Sequence, residues 1–313
     1  MSLSKKQITL FQQKILSWYV EHKRDLPWRE IPDGISLQDR AYRVLVSEVM
    51  LQQTQVSRVV PKYHAWIAAL PTVAALANAT TADVLRLWSG LGYNRRALYL
   101  KHTAEVIVKE YAGQFPQDIP ALEKLSGIGS YTAQAVACFA FGEQVAVVDT
   151  NIRKVILLHF NTRHSGKRRM SASRISQKKR SWTSQDDGKR GLKMTEKEIQ
   201  QVADQLLPQG KASVWNQALM DYSALVLSKI RQSRPKDDQP LAEKFIGSNR
   251  YYRGKLIRLL LQEKEISLAK LGFLLKKDFV DTDQLWLQAL LKGLQKDKFI
   301  VFRNNIVMIA TKE

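Results

Sequence analysis

At 313 residues, with 45% hydrophobic and 25% charged residues, the chain has the composition of a folded protein long enough for two domains. It carries 49 Lys and Arg against 29 Asp and Glu, a formal net charge of +20, which favours a nucleic acid partner over a ribosomal or membrane-surface role. Its single cysteine excludes an internal disulfide and a four-thiolate zinc or iron–sulfur site. No apolar run reaches membrane-spanning length and the first residues lack a signal-peptide core, so we expect a cytoplasmic protein.

The first half of the chain is predicted to be mainly helical. Apolar residues recur at helical spacing over Phe11–Val20, and Leu26-Pro27-Trp28 ends that element. A second apolar helical face runs over Tyr42–Met50. Glycine-containing turns at Ser89–Gly92 and Ser126–Gly129 then separate further helices up to about residue 160.

The second half begins with a strongly basic segment. Residues 163–193 are rich in Arg, Lys and Ser and poor in large apolar side chains, so we predict a disordered basic insertion. Thr195 and Glu198 have the spacing of a capping box that opens the next helix. Another helix covers about 214–230, and residues 231–244 form a polar linker.

Residues 245–313 are predicted to form a small winged-helix-like C-terminal domain, although a helical cap with a hairpin fits the pattern equally well. The predicted elements are helices at about 251–262, 268–275 and 285–295, strands at 299–302 and 306–309, and a turn at 303–305. The chain is therefore divided into a domain over 1–230, the linker 231–244 and this C-terminal domain.

A two-glycine turn is the most informative local motif. In Leu125-Ser126-Gly127-Ile128-Gly129-Ser130, one helix ends, Ile128 plugs into the core and a new helix begins. Glycine lets backbone lie close to a ligand, and the amides of a new helix's first turn favour an anion such as DNA phosphate. Gly127, Gly129 and Ser130 are therefore candidate DNA contacts, although many such turns only join helices.

An acidic residue ends the next apolar run. Asp149 follows Val147-Val148 and precedes a helix rich in Arg and Lys. A lone Asp at such a place is more often a helix N-cap than a catalyst, but its position after the hairpin favours catalysis. The helix dipole and the first-turn amides would stabilise its anion.

Together these motifs resemble a known superfamily. The hairpin followed by Asp149 resembles the helix-hairpin-helix DNA glycosylases. The segment Ser47-Glu48-Val49-Met50-Leu51-Gln52-Gln53-Thr54-Gln55-Val56 is very similar to the signature of MutY-type adenine DNA glycosylases. Leu26–Arg29, Leu87–Tyr93 and Asn216–Asp221 follow in the family's order. The resemblance covers residues 10–230 apart from the basic insertion, and it implies a mainly α fold with two helical subdomains around a cleft.

The implied activity is base excision repair of double-stranded DNA with a mismatched or oxidised base pair. Cleaving the bond to adenine needs one carboxyl group as general acid and another that stays ionised beside the developing sugar cation. The resemblance assigns these roles to Glu48, whose burial would raise its pKa, and to Asp149, with Asn151 ordering the catalytic water. Tyr131 stands where bifunctional relatives carry a Schiff-base lysine, so we expect a monofunctional enzyme in which Tyr131 contacts the nucleotide or Asp149. Taken alone, Glu48 would be interpreted as a salt-bridged helix residue.

The resemblance also implies how the base is extruded and held. Gln53 and Tyr93 match the wedge that fills the vacated stack, and Thr54 matches a residue near oxidised guanine. The adenine pocket would comprise Trp28, Arg29, Leu51 and Gln217. Candidate phosphate contacts are Arg153, Arg95, Arg96 and Lys154, each of which could equally be a solvated charge. Trp28 and Tyr93 could instead be core aromatics.

Two features depart from the family. Most adenine glycosylases carry a four-cysteine iron–sulfur cluster after the helix that corresponds to 214–230, but Lys229–Ser233 contains no cysteine, so we expect no cofactor and no metal. Cys138 is instead expected to be a small buried residue. The residues after 245 are too few and too helical for the usual oxoguanine-recognition domain. We expect a nucleoid-associated monomer.

Two other functions remain open from the sequence. A thymine or uracil glycosylase acting on G·T or G·U mismatches would share the hairpin, Tyr131 and Asp149, but it would not need Glu48, because a pyrimidine leaving group requires no proton on a purine nitrogen. A non-catalytic DNA-binding protein would need neither acidic residue.

Overall fold

The computed structural model describes residues 2–30, 32, 34–160, 194–227 and 245–310. Within these ranges the fold is mainly α-helical, as predicted, and no helix is long and apolar enough to cross a membrane. The helices are α1 (Lys5–His22), α2 (Leu37–Leu51), α3 (Val56–Ala69), α4 (Val73–Asn78), α5 (Thr81–Trp88), α6 (Arg95–Glu110), α7 (Ile119–Glu123), α8 (Ser130–Phe141), α9 (Thr150–Phe160), α10 (Glu196–Leu206), α11 (Ala212–Tyr222), α12 (Asn249–Glu263), α13 (Leu268–Leu275) and α14 (Gln284–Lys296). The strands are β1 (Glu265–Ser267), β2 (Ile300–Arg303) and β3 (Ile306–Ile309). The predicted basic insertion at 163–193 and the linker at 231–244 lie outside the described residues.

The chain forms two compact units, each assembled from two separate stretches. The first comprises Met1–Asp25 and Gln134–Lys236, and the second comprises Leu26–Ala133 and Asp237–Glu313. The predicted domain over 1–230 thus contributes to both units, whereas the residues of the predicted C-terminal domain belong to the second. The domain boundaries themselves stay a prediction.

The core of the first unit is built by α1, α9, α10 and α11. In α1, Phe11, Ile15 and Tyr19 are buried at intervals of one helical turn, which is the apolar stripe that the sequence predicts. Ser4 caps α1 and Thr195 caps α10, each through a complete capping box. The capping box predicted at Thr195 and Glu198 is therefore present.

The core of the second unit contains large aromatic side chains with satisfied polar atoms. The Tyr42 hydroxyl donates to the carbonyl of Leu70 (2.7 Å), and Trp66 Nε1 donates to the Tyr42 oxygen (3.0 Å). Trp88 packs edge-on against Trp66 with 5.7 Å between ring centroids. Because these polar atoms are paired, burying them carries little desolvation cost, and the rings fix how α2, α3 and α5 pack.

The C-terminal part of the second unit has the predicted helices and hairpin plus one further strand. The three strands form an antiparallel sheet in the order β1-β3-β2. Asn304 and Asn305, at φ 47° and 63°, make the tight turn between β2 and β3, a backbone conformation that Asn tolerates well. Strand β1 is only three residues long and follows Lys264, which explains why no alternating pattern revealed it.

A largely buried histidine in the first unit makes the stability of that unit sensitive to acid. His159 lies among Phe11, Phe160 and Tyr222, with ring centroids 5.1–6.3 Å away, and burial and nearby Lys14 lower its pKa from 6.5 to about 4. Because the folded state binds this proton less well than the unfolded state, stability should fall as pH drops from about 6.5 towards 4, by roughly 2–3 kcal/mol.

Replacing this side chain should remove the acid sensitivity. His159→Phe keeps an aromatic ring and should flatten the dependence of the unfolding free energy on pH in that range, measured by urea denaturation. His64→Phe, at an exposed histidine of α3, is the matched control and should keep the wild-type slope. An unchanged slope in His159→Phe would show that other groups cause the loss of stability in acid.

Candidate active site

The predicted hairpin lies in the second unit, between α7 and the first turn of α8. Ile128 is buried while Gly127, Gly129 and Ser130 are exposed, as expected for a turn that plugs one apolar side chain into the core. Gly127 has φ +76°, and a Cβ at this position would lie 2.8 Å from the Cβ of Tyr99. Gly129 lacks both constraints, because an added Cβ would meet nothing within 4 Å. The backbone conformation therefore requires glycine only at position 127. At position 129 glycine leaves open space on the exposed side of the turn.

The hairpin brings Tyr131 to Glu48. Tyr131 stands in the first turn of α8, and its hydroxyl donates a hydrogen bond of 2.8 Å to Glu48 Oε2. Glu48 lies in α2 with only 8% of its surface exposed, so this carboxyl group is held in one orientation within a largely apolar helix face. The pair combines a buried proton carrier with a hydroxyl that orients it.

Asp149 precedes α9 in the first unit and caps it. Its Oδ1 accepts from the backbone amides of Asn151 (2.9 Å) and Ile152 (2.7 Å), and its Oδ2 accepts from Asn151 Nδ2 (2.7 Å). Burial nevertheless raises the pKa of Asp149 above 3.8, although these hydrogen bonds and nearby Lys154 act in the opposite direction. The first-turn amides stabilise the anion as the sequence predicts, but the desolvation cost, which the sequence pattern does not reveal, is larger.

Asn216, which the sequence presents only as part of the motif Asn216–Asp221, holds the segment before Asp149 in place. Asn216 in α11 accepts from the amide of Val147 (2.9 Å) and donates to the carbonyl of Val145 (3.0 Å). It is almost completely buried and also contacts Cys138 Sγ at 3.4 Å. A buried Asn that pairs with both backbone groups of an irregular segment fixes that segment, so Asn216 is a positioning residue for Asp149.

One buried arginine connects the two turns predicted to face DNA. Arg96 is 9% exposed, and its guanidinium donates to the carbonyls of Val49 (2.7 Å) and Gln52 (2.6 Å) near the end of α2. It also donates to the Leu91 and Gly92 carbonyls (3.3 and 3.1 Å). Arg96 is therefore no phosphate contact: its charge satisfies carbonyls at a helix C-terminus that lack partners within the helix.

The two turns held by Arg96 carry the predicted wedge residues. Gln53 and Tyr93 have φ of 54° and 48°, a left-handed conformation that costs energy for residues other than glycine. Gln53 is exposed, and Tyr93 is 43% exposed. Thr54 accepts a hydrogen bond of 3.2 Å from Arg96 Nη2. The guanidinium thus stabilises both strained turns at once.

Removing this arginine should loosen both turns together. Arg96→Ala should lower the unfolding free energy by about 3 kcal/mol or more, because each buried carbonyl left without a partner costs about 1–3 kcal/mol. Arg96→Lys should recover only part of this loss, since an ammonium group cannot reproduce the planar fork. The measurement is urea denaturation of both variants.

The neighbouring arginine provides the control. Arg95 is largely exposed, with its guanidinium 3.7 Å from Asp297, and an exposed pair of this kind contributes about 0–1 kcal/mol, so Arg95→Ala should stay near wild type. Equal losses in Arg95→Ala and Arg96→Ala would contradict the positioning role.

The predicted base-pocket residues occupy both units. In the second unit, Trp28 is buried and packs edge-on against Tyr63 (5.5 Å), while Arg29 and Leu51 are partly exposed. In the first unit, Gln217 is partly exposed and accepts a hydrogen bond of 3.1 Å from the Tyr19 hydroxyl. Trp28 has the burial of a core aromatic, which was the alternative interpretation.

Arg153, also in the first unit, forms an ion pair with Glu196. No group of three or more His, Cys, Asp or Glu side chains among the described residues is placed to hold a metal ion.

Comparison with known proteins finds a base excision repair family and several DNA glycosylases. Residues 46–180 match the model of the HhH-GPD superfamily base excision DNA repair protein. The adenine DNA glycosylase of Mycolicibacterium smegmatis is 53% identical over 143 residues, which cover 46% of this chain and 47% of that protein. The adenine DNA glycosylase of Homo sapiens is 45% identical over 152 residues, covering 48% of this chain and 28% of that protein. The chain thus spans about half the length, or less, of these relatives.

Solved structures with a similar fold cover more of the chain. A thermostable thymine-DNA glycosylase is 27% identical with a TM-score of 0.56, covering 79% of this chain and 97% of that protein. A non-covalent endonuclease III–DNA complex, at 16% identity, has a TM-score of 0.51 and covers 77% of this chain and 92% of that one. The second likeness concerns the fold alone.

Proposed function

We propose that this chain is a monofunctional DNA glycosylase that excises adenine paired with 8-oxoguanine or guanine, on the premise that residues 46–180 match the model of the HhH-GPD superfamily of base excision DNA repair proteins. The observation that carries the proposal is the buried carboxyl group of Glu48, held by the Tyr131 hydroxyl at 2.8 Å. A purine leaving group needs a proton, and this pair is built to deliver one.

The proposed reaction uses two carboxyl groups in different protonation states. Glu48 donates a proton to the extruded adenine at N7, which turns a poor anionic leaving group into a neutral one. Asp149 stays ionised and stabilises the positive charge that develops on the deoxyribose, while Asn151 holds its Oδ2 at 2.7 Å and orders the attacking water. Water then completes the hydrolysis and leaves an abasic site.

Tyrosine at position 131 supports the monofunctional assignment. A lysine there would form a Schiff base with the sugar and permit strand cleavage, whereas a phenol cannot. The Tyr131 hydroxyl is also engaged with Glu48, so its role is to orient the acid. The product should therefore be an intact strand that breaks only after alkali treatment.

The partner is proposed to be double-stranded DNA with a mismatched or oxidised base pair. The exposed hairpin of Gly127, Gly129 and Ser130 offers backbone amides to a phosphate, and Gln53 and Tyr93 supply the wedge. The net charge of +20 supports the same partner and a cytoplasmic, nucleoid-associated monomer. Thr54 supports 8-oxoguanine as the opposite base by its resemblance to the family.

The proposed enzyme works without an iron–sulfur cluster. Such a cluster needs four thiolates, and the 313 residues contain one cysteine. Cys138 is buried, and burial raises the pKa of its thiol to about 11, which disfavours the thiolate that binds metals. The donor set does not fit the cluster, and basic side chains must supply the DNA contacts instead.

A second candidate is a thymine or uracil glycosylase acting opposite guanine. The structural likeness to a thermostable thymine-DNA glycosylase favours it, since that likeness covers 79% of this chain. Glu48 favours adenine, because a pyrimidine can leave as an anion without protonation. A non-catalytic DNA-binding protein would keep the hairpin and need neither Glu48 nor Asp149.

One assay separates these functions. Duplexes with A opposite 8-oxoguanine, A opposite G, T opposite G and U opposite G are incubated with the protein and then treated with alkali. Strand breaks at adenine only are expected. Breaks at T or U but not at A would replace the proposal with the second candidate, and no breaks with retained DNA binding would favour the binding protein. Breaks without alkali would contradict the monofunctional assignment.

A further inference from the structure

A cation from the C-terminal part of the second unit covers the proposed wedge. Arg250, in the first turn of α12, lies over the ring of Tyr93 with 3.7 Å between its Cζ and the ring centroid. The two residues are far apart in sequence, and α12 packs against α5, which leads into the turn that carries Tyr93. The fold therefore places an exposed guanidinium directly on the residue proposed to enter the DNA stack.

Aromatic rings continue the surface from Arg250. Phe245 is 47% exposed and lies 5.9 Å from the Arg250 guanidinium. Edge-on contacts then lead from Phe245 to Tyr251 (5.8 Å), from Tyr251 to Tyr252 (5.2 Å) and from Tyr252 to Trp286 (4.8 Å). Arg250 and these four aromatic residues form what we name the aromatic track.

Charge distinguishes the track from an apolar docking face. Residues 245–310 contain twelve Lys and Arg against six Asp and Glu. Within α12 there are four cations and a single acidic residue, Glu263, which stands at the opposite end from Arg250. At the far end of the track the Lys276 ammonium lies 5.4 Å from the Trp286 ring and is paired with Asp283 at 2.7 Å, so the exposed, unneutralised charge is concentrated at the Arg250 end. Cations interleaved with partly exposed rings suit a polyanion whose units have flat faces, which is the chemistry of nucleic acid.

Arginine can hold Tyr93 and bind a phosphate at the same time. The face of a guanidinium stacks on a ring, while its N–H groups donate within the plane, so the stack leaves the edge available for an anion. Lysine lacks this geometry because its ammonium is a point charge. The contact with Tyr93 is thus compatible with a phosphate contact beside it.

We propose that the aromatic track is a DNA-binding surface that continues from Tyr93 and grips the duplex flanking the excised base, with Arg250 as its phosphate contact. This inference rests on the proposed function only in taking DNA as the ligand. It assigns the C-terminal module a direct part in substrate binding.

The test measures DNA affinity with the full chain. A duplex with A opposite 8-oxoguanine is bound by the Glu48→Gln protein, which keeps the DNA intact, and Kd is followed by fluorescence anisotropy at several salt concentrations. Adding Arg250→Ala should raise Kd by roughly 5- to 20-fold and reduce the salt slope by about one, as expected for one lost phosphate contact. Arg250→Lys should keep the salt slope but recover the affinity only in part.

A matched charge change provides the control. Lys270 on α13 is also exposed and makes no ring contact within the described ranges, so Lys270→Ala should change Kd less than about twofold. Shortening the duplex on one side of the lesion should weaken the parent protein and leave Arg250→Ala unaffected. In Tyr93→Ala, a further Arg250→Ala change should raise Kd by a smaller factor than it does with Tyr93 present, because the two side chains act together.

Three other outcomes overturn the inference. If Arg250→Ala matches Lys270→Ala, the track does not bind DNA. If Arg250→Ala binds more tightly, Arg250 is an inhibitory cover of Tyr93. If the parent protein binds no duplex, the proposed function and the track fail together. If duplexes are bound with the predicted dependence on Arg250 but the protein with Glu48 intact does not excise adenine, the inference stands and only the proposed function fails.

Discussion

Glu48→Gln is expected to lower the single-turnover rate of adenine excision by about 10²–10⁴-fold, the range contributed by a positioned general acid. Glutamine has the same shape and can still accept the hydrogen bond from Tyr131, but it carries no acidic proton for the adenine ring. Duplex affinity should stay close to that of the wild type, because the side chain is buried and its role is in the chemical step. The measurement is alkali-dependent strand cleavage with enzyme in excess.

Tyr131→Phe tests the contribution of the hydrogen bond that orients Glu48. Phenylalanine removes only the hydroxyl that donates to Glu48, so we expect a rate loss of roughly tenfold, with a shift in the alkaline limb of the pH–rate profile. A structural defect would instead lower the thermal stability and leave that limb in place. If Glu48→Gln retained most of the wild-type rate on adenine while Tyr131→Phe lost it, the proton donor would have to be sought elsewhere.

The local helix signals were readable from the sequence because they depend on neighbours in the chain. The capping box at Thr195, the turn at Asn304-Asn305 and the plug of Ile128 each follow from short-range geometry, and the structure has all three. Gly127 also follows the expectation, with its positive φ and its close approach to Tyr99. Gly129 does not, since nothing in the sequence distinguishes a glycine required by the backbone from one that leaves open space.

Arg96 illustrates why tertiary contacts could not be predicted from the sequence. In the sequence it is one of two adjacent arginines beside a predicted wedge, so a phosphate contact was as good an interpretation as a solvated charge. Its actual partners are carbonyls of residues 49–52 and 91–92, which only the tertiary fold brings together. Composition reports how many charges a chain has, and only packing decides which of them are buried.

The contact between Arg250 and Tyr93 was unpredictable for the same reason. Residues 245–313 were expected to be a separate domain joined by a linker, which gives no ground for a contact with the turn after α5. In the structure, the described residues of this stretch lie in the same compact unit as Leu26–Ala133. The predicted C-terminal domain therefore contributes to the surface around the proposed wedge.

Asp149→Asn is expected to abolish most of the activity while leaving the protein at least as stable as the wild type. The loss should reach about 10²–10³-fold or more, because the amide cannot neutralise a developing sugar cation. Stability should be retained because Asn is as good an N-cap as Asp and can still accept from the amides of Asn151 and Ile152, and the Asn151 side-chain amide can turn so that its oxygen accepts from the new Nδ2.

The sign of the stability change follows from the raised pKa of Asp149. A carboxyl group whose folded-state pKa exceeds its unfolded value stabilises the fold only while it is protonated, and this contribution is lost as pH rises through the folded pKa. The melting temperature of Asp149→Asn should therefore exceed that of the wild type at neutral pH, and the difference should shrink in acid. The wild-type rate should fall in acid below the same pKa, which lies above 3.8, because catalysis needs the anion. A variant that is inactive and also less stable at neutral pH would show that Asp149 is an ordinary cap whose loss disorders α9. An inactive but more stable variant would show that the fold sacrifices stability to keep this buried charge.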